Sequence, residues 1–202
     1  MEAHDEFLLI QRKFIWINKA RNFALTDGIL SIETEPGTDL WQRTFYGFSI
    51  FNAPSCITEL KEDFTFRVKA NFVTKNQYDQ CGVLLFLDPE NWIKISIEHE
   101  NNQIARLGSV STTFGFSDWA STDIAQPIQE IWYSVGRRGK DILIEYATAK
   151  DCYKQMRILY IHKPFEKIGV GVYACSPKDS SFVAKFSSFQ IGSCLMPEHK
   201  PC

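Results

Sequence analysis

The chain has 202 residues, a formal net charge of −2 at neutral pH and an aromatic share of 14%. With a pI near 6.1 it lacks the basic surface that nucleic acid or an anionic membrane selects, so neither is expected as a partner. Its length suits one domain with a sizeable core, and no apolar run approaches the roughly 18 residues that span a bilayer.

The amino terminus, from Met1 to Glu6, has no basic stretch ahead of a long apolar one, and residues 7–10 are too few to supply it. No secretory signal is expected, and the chain reads as cytoplasmic. Residues 7–23 leave room for a single helical turn, within an N-terminal segment set at 1–19. Strands follow at 28–32, 63–72, 81–88, 92–98, 104–110, 131–137, 142–146, 156–161, 168–174 and 182–191. Each is a short alternating run bounded by turn residues. In the second of them Phe64, Phe66, Val68, Ala70 and Phe72 share one face, and Thr65, Arg67, Lys69 and Asn71 the other. Turns fall at Asp88-Pro89-Glu90-Asn91, Asn101-Asn102, Arg138-Gly139-Lys140-Asp141 and Ser176-Pro177-Lys178-Asp179. Residues 112–119 read as a loop. About ten strands and almost no helix imply an all-β domain of two packed antiparallel sheets over residues 20–192, with a tail at 193–202.

The six cysteines (Cys56, Cys81, Cys152, Cys175, Cys194 and Cys202) are irregularly spaced, and two lie inside apolar runs. Buried cysteine behaves as a small hydrophobe, so reduced thiols are expected. The four histidines are scattered without metal-ligand spacing, and no phosphate-binding, dinucleotide or nucleophile-elbow motif occurs. Neither a metal nor a cofactor is expected.

Residues 91–100 carry the most pointed pattern. Ile93, Ile95 and Ile97 point one way, as β-branched core fillers do. Trp92, Lys94, Ser96, Glu98 and Glu100 point the other. An aromatic platform, a donor and an acceptor about 6–7 Å apart along one strand face suit a hydroxyl-rich ligand. The plainer reading is a surface strand whose Lys–Glu pair satisfies itself and whose tryptophan packs under a loop. Asp118 and Trp119 suit a ligand lip if they lie on a loop; otherwise they plug an end of the sandwich. Gln80, beside Gly82, offers a groove amide. Arg137 and Arg138 can clamp an anion, although such a pair more often ends a strand.

Catalysis is less well supported. Retaining glycoside hydrolysis needs two carboxyls about 5–5.5 Å apart, and the nearest match is Glu98-His99-Glu100. Asn101-Asn102 follows at once, so Glu100 is expected at a hairpin edge.

Several motifs together resemble the family known as a domain of unknown function, DUF1349, of regulation-of-enolase-like type. They are Thr38-Asp39-Leu40-Trp41, Tyr46-Gly47-Phe48, Tyr78-Asp79-Gln80-Cys81-Gly82-Val83 and Asn91-Trp92-Ile93-Lys94 leading to Ile97-Glu98. Gly108-Ser109-Val110, Phe116-Ser117-Asp118-Trp119, Trp132-Tyr133 with Arg137-Arg138-Gly139, and Val172-Tyr173-Ala174-Cys175-Ser176-Pro177 continue the series in order. The resemblance implies a concanavalin A-like jelly roll whose concave face holds a ligand. The expectation is then a non-catalytic binder of a carbohydrate or sugar-like small molecule. Trp92 and Trp119 would stack, while Lys94, Glu98, Asp118 and Gln80, with Arg137, would supply polar contacts. One rival is an intracellular regulator with a protein partner. The other is a weak glycoside hydrolase using Glu98 with Asp118 or Glu100. The sequence gives no oligomeric state.

Overall fold

The computed structural model describes residues 7–197, and every regular element in that span is a strand. The chain opens with β1 (Phe7–Leu9), β2 (Arg12–Ile17), β3 (Phe23–Thr26), β4 (Ile29–Glu33), β5 (Leu40–Gln42) and β6 (Ser49–Phe51). It continues with β7 (Ser55–Leu60), β8 (Phe64–Phe72), β9 (Gln80–Asp88), β10 (Asn91–His99), β11 (Ile104–Thr113) and β12 (Phe116–Ala125). The last elements are β13 (Glu130–Arg138), β14 (Asp141–Ala147), β15 (Lys154–Tyr160), β16 (Ile168–Cys175) and β17 (Val183–Gly192). No helix among these residues is long and apolar enough to cross a membrane.

Two antiparallel sheets pack face to face. One has the order β1-β2-β7-β16-β9-β10-β11-β12, the other β15-β14-β13-β8-β17-β4-β3, and the β5–β6 hairpin forms a small sheet of its own. Between the large sheets lie Phe64, Phe66, Val68 and Ala70 from β8 and Ile131, Tyr133 and Val135 from β13, against Val83 and Leu85, Ile95 and Ile97, and Val170 and Val172. All are 1 % exposed or less. Tyr133 also bridges the two layers: its hydroxyl accepts from Ile97 N at 2.8 Å and donates to Cys81 O at 3.2 Å. A phenol without partners there would leave a buried polar group unsatisfied.

The ten expected strands are all present with slightly displaced ends, but the described residues hold seventeen. Two differences matter. The helical turn allowed for at residues 7–23 is instead the β1–β2 hairpin, with Leu9 paired to Arg12 across Ile10 and Gln11. Both turn residues have positive φ, as a tight hairpin requires, without the Asn-Gly signature that would reveal it. Phe14 and Trp16 are buried and alternate with more exposed neighbours, so β2 has a strand's period and joins β7. Likewise, the loop expected at 112–119 is a two-residue turn, Phe114-Gly115, between β11 and β12. Cys56, Cys81, Cys152, Cys175 and Cys194 are free thiols; Cys202 lies outside the described residues, as do residues 1–6 and the rest of 198–202.

In the eight-stranded sheet, neighbouring backbone lies close against two glycines. A Cβ on Gly82 would lie 1.9 Å from Ile95 O, and one on Gly171 would lie 2.0 Å from Cys56 O. Only a residue without a side chain fits such spacing. Gly82→Ala is therefore expected to cost about 2 kcal/mol through forced backbone displacement, read as a lower urea midpoint with an unchanged slope.

Candidate functional site

Register lines up the face of the large sheet that looks away from the core. Cys175, Gln80, Glu98, Arg106 and Asp123 form one row across five strands. The next row, Tyr173, Gly82, Ser96, Gly108 and Ser121, is made mostly of small residues. Leu84, Lys94, Val110 and Trp119 form the third. The row of small side chains leaves a trough between a polar row and a mixed one.

The β5–β6 hairpin roofs one end of this trough. Gln42 N donates to Ser117 Oγ at 2.9 Å, and Phe51 packs over Phe86 and Trp92 with ring centroids 5.8 and 6.3 Å away. Between roof and floor is a cavity of about 450 Å³, lined by Asp39, Trp41, Tyr46, Phe48, Tyr78, Gln80, Lys94, Ser96, Glu98, Arg106, Trp119 and Lys178 among others. Its size is that of a small-molecule site. The walls are aromatic and the floor is polar.

Lys94, 4 % exposed, donates to Asp39 Oδ1 at 3.1 Å. Burial disfavours its charge, but Asp39 outweighs that, with help from Cys175 and Glu98, and the ammonium is held above its ordinary pKa. Asp39 Oδ1 also accepts from Leu40 N at 2.7 Å. Across the floor, Gln80 Nε2 donates to Glu98 Oε2 at 3.0 Å and to Tyr78 O at 3.2 Å, while Tyr173 Oη donates to Gln80 Oε1 at 2.9 Å. Those partners fix which end of the Gln80 amide faces Glu98. Desolvation pushes Glu98 up to about 7; Lys94 and Arg106 pull against this, and Asp39 and Glu100 reinforce it. Among the described residues, Glu98 Oε1 takes no hydrogen bond and Lys94 Nζ has Asp39 as its one acceptor. An ammonium has three donors, so the floor keeps polar capacity to spare.

Of the residues singled out in the sequence, Gln80, Lys94, Glu98 and Trp119 line this cavity together. Three do not. Trp92 is on the predicted face but is 2 % exposed beneath the hairpin, where its Nε1 donates to Pro89 O at 3.1 Å; it has no open face for stacking. Asp118 neighbours Trp119 on β12, and successive strand residues point to opposite faces. It turns away from the cavity and pairs with Arg157 Nη2 at 2.7 Å. Arg137 lies in the other sheet, donating to Lys61 O at 2.7 Å, Glu62 O at 2.9 Å and Gly139 O at 2.8 Å. It ends a strand and clamps backbone carbonyls.

The carboxylates expected to partner Glu98 in hydrolysis are not poised for it. Asp118 faces elsewhere, and Glu100 is held by Arg106 Nε at 2.9 Å and Gln77 Nε2 at 2.9 Å. The Arg106 bond keeps the Glu100 carboxyl below its usual range. No three His, Cys, Asp or Glu side chains among the described residues cluster as metal ligands would.

Sequence reasoning missed Asp39, Trp41, Tyr46, Phe48, Tyr78 and Arg106 as site residues. Most come from outside the alternating strands, so period gave no hint of them; all but Arg106, which lies on the strand expected at 104–110, stand within the quoted family motifs.

A family profile described as "Protein of unknown function (DUF1349)" matches residues 16–194. The chain is 28% identical over 179 residues to "Regulation of enolase protein 1" of Saccharomyces cerevisiae, covering 87% of each. A crystal structure of a functionally unknown protein from Saccharomyces cerevisiae superposes with a TM-score of 0.84 at 27% identity, covering 91% of this chain and 97% of that one. The GH43 protein BlXynB of Bacillus licheniformis matches with a TM-score of 0.69 at 12% identity over 88% of this chain and 36% of its own. That last likeness is one of fold.

Because the Glu98 carboxyl is raised to about 7 in the folded chain from an ordinary 4.5, the folded state holds a proton that the unfolded chain releases between those values. Folding stability is expected to fall as pH rises through this window. Glu98→Gln should remove that component of the slope, measured by urea denaturation at stepped pH, and a carbon-detected NMR titration should place the Glu98 midpoint near neutrality.

Proposed function

We propose that this chain, which belongs to the DUF1349 family, binds an uncharged polyhydroxylated ligand, a carbohydrate foremost, in the cavity over its large sheet without transforming it. The observation that carries this reading is the pairing of spare polar capacity at Lys94 and Glu98 with the exposed ring of Trp119, 40 % accessible. A hydroxyl accepts from an ammonium and donates to a carboxyl at once, and a sugar's apolar face suits an aromatic wall.

Charge favours a neutral ligand. Lys94 is matched by Asp39, and Arg106 by Glu100 and by Asp123 at 3.5 Å. At those two cations a phosphate or carboxylate would have to displace these partners; Lys178 at the cavity wall is held by the neutral Gln77 amide instead. Glu98, its carboxyl raised to about 7, carries only part of a negative charge near neutrality.

A second reading has its own support. The yeast relative's name describes regulation of enolase, which favours a regulatory chain that meets another protein. Both readings are set in the cytoplasm, where the five described thiols stay reduced.

Titration with a panel of neutral glycans is expected to change tryptophan fluorescence, since Trp41 and Trp119 line the cavity. Trp119→Ala should weaken the best ligand about tenfold with the fold intact. Silence across the panel, together with a complex formed with purified enolase in sedimentation, would replace the carbohydrate reading with the regulatory one.

A further inference from the structure

The aromatic wall of the cavity continues past its mouth. Tyr46, which lines the cavity, meets Trp41 edge-on at 5.3 Å, stacks on Phe48 at 5.8 Å and meets Phe45 edge-on at 5.0 Å. Phe45 sits at the tip of the β5–β6 hairpin, 91 % exposed, with a φ of 63°. A phenylalanine gains nothing from water at such exposure, and a non-glycine residue resists a positive φ. Both costs are borne at one position, beside the site.

The tip is tied to its neighbours through Arg43. Arg43 Nη1 donates to Gly115 O at 2.8 Å and Nη2 pairs with Glu90 Oε1 at 3.3 Å, while the guanidinium lies 5.7 Å from the Phe116 ring centre. Glu90 answers the arginine's charge, so the lip presents aromatic faces with no net charge. A preformed, neutral aromatic track suits the chemistry proposed for the cavity, extended by further units.

We infer that the ligand is a chain of neutral sugar units, with one end seated on the Lys94–Glu98 floor and the units beyond it stacked on the Phe45 lip. This rests on the carbohydrate reading of the cavity and adds the ligand's length. A free monosaccharide would leave Phe45 without a role.

The test uses neutral gluco-, xylo- and manno-oligosaccharides of one to six units, titrated against the full chain by calorimetry. Affinity is expected to rise with length. Phe45→Ala, a change at a solvent-facing tip, should weaken six-unit binding about tenfold and leave one- and two-unit binding unchanged, whereas Trp119→Ala should weaken both. Affinity independent of length, or a Phe45→Ala effect equal at every length, would overturn this inference and leave the cavity's function standing. Failure of every sugar at every length would overturn both. A protein complex abolished by Phe45→Ala would assign the lip to a protein and overturn the chain ligand.

Discussion

An ammonium taken out of water must find a carboxylate or surrender its proton, and Lys94, nearly inaccessible on the sheet face, finds Asp39 at 3.1 Å. The two residues are far apart in sequence and belong to different layers. Asp39 stands at the entrance to the β5–β6 hairpin, and its carbonyl accepts from Asn52 N and Ala53 N at the exit. Satisfying the lysine therefore ties both ends of the roof to the floor. Such a pair is weak support for stability, since desolvation consumes most of its attraction. Its effect here is positional: without it, a charge would be left buried and one of the hairpin's ties to the sheet would be lost.

The site grows from this tie. The small residues of the Gly82 row, where a side chain would strike the neighbouring backbone, leave a trough across the sheet face. The hairpin adds aromatic walls from above, and the Gln80–Tyr173 bond holds the floor's amide in one orientation. Glu98 is raised toward neutrality because it sits in this partly dry space. The same architecture recurs in part of a GH43 protein at 12% identity, a likeness of fold alone; function resides in the site and not in the fold.

Much of the fold was legible because a strand with one buried face writes its period directly into the chain. β8, with its Phe64-Phe66-Val68 face, and β10, with Ile93-Ile95-Ile97, needed nothing else. β1 and β2 escaped because their turn is made by Ile10 and Gln11, residues that rarely adopt positive φ. β12 escaped because it is an edge strand, exposed on nearly every residue; with no buried face there is no alternation to see. Misreading it as a loop allowed Asp118 and Trp119 to be assigned to one site, which neighbouring residues on a strand cannot share.

The sequence by itself determined that Trp92, Lys94, Ser96 and Glu98 stand on one face of a strand, since side-chain alternation is local and obeys a period of two. It also determined, through the ordered motifs, the all-β sandwich and the family. Only the tertiary structure decided which part of that face is open. A hairpin some forty to fifty residues earlier in the chain lies across Trp92 and leaves Lys94 and Glu98 at the floor of a cavity. Long-range coverage of this kind leaves no mark on the covered strand, because the covering residues and the covered ones meet only when the chain has folded.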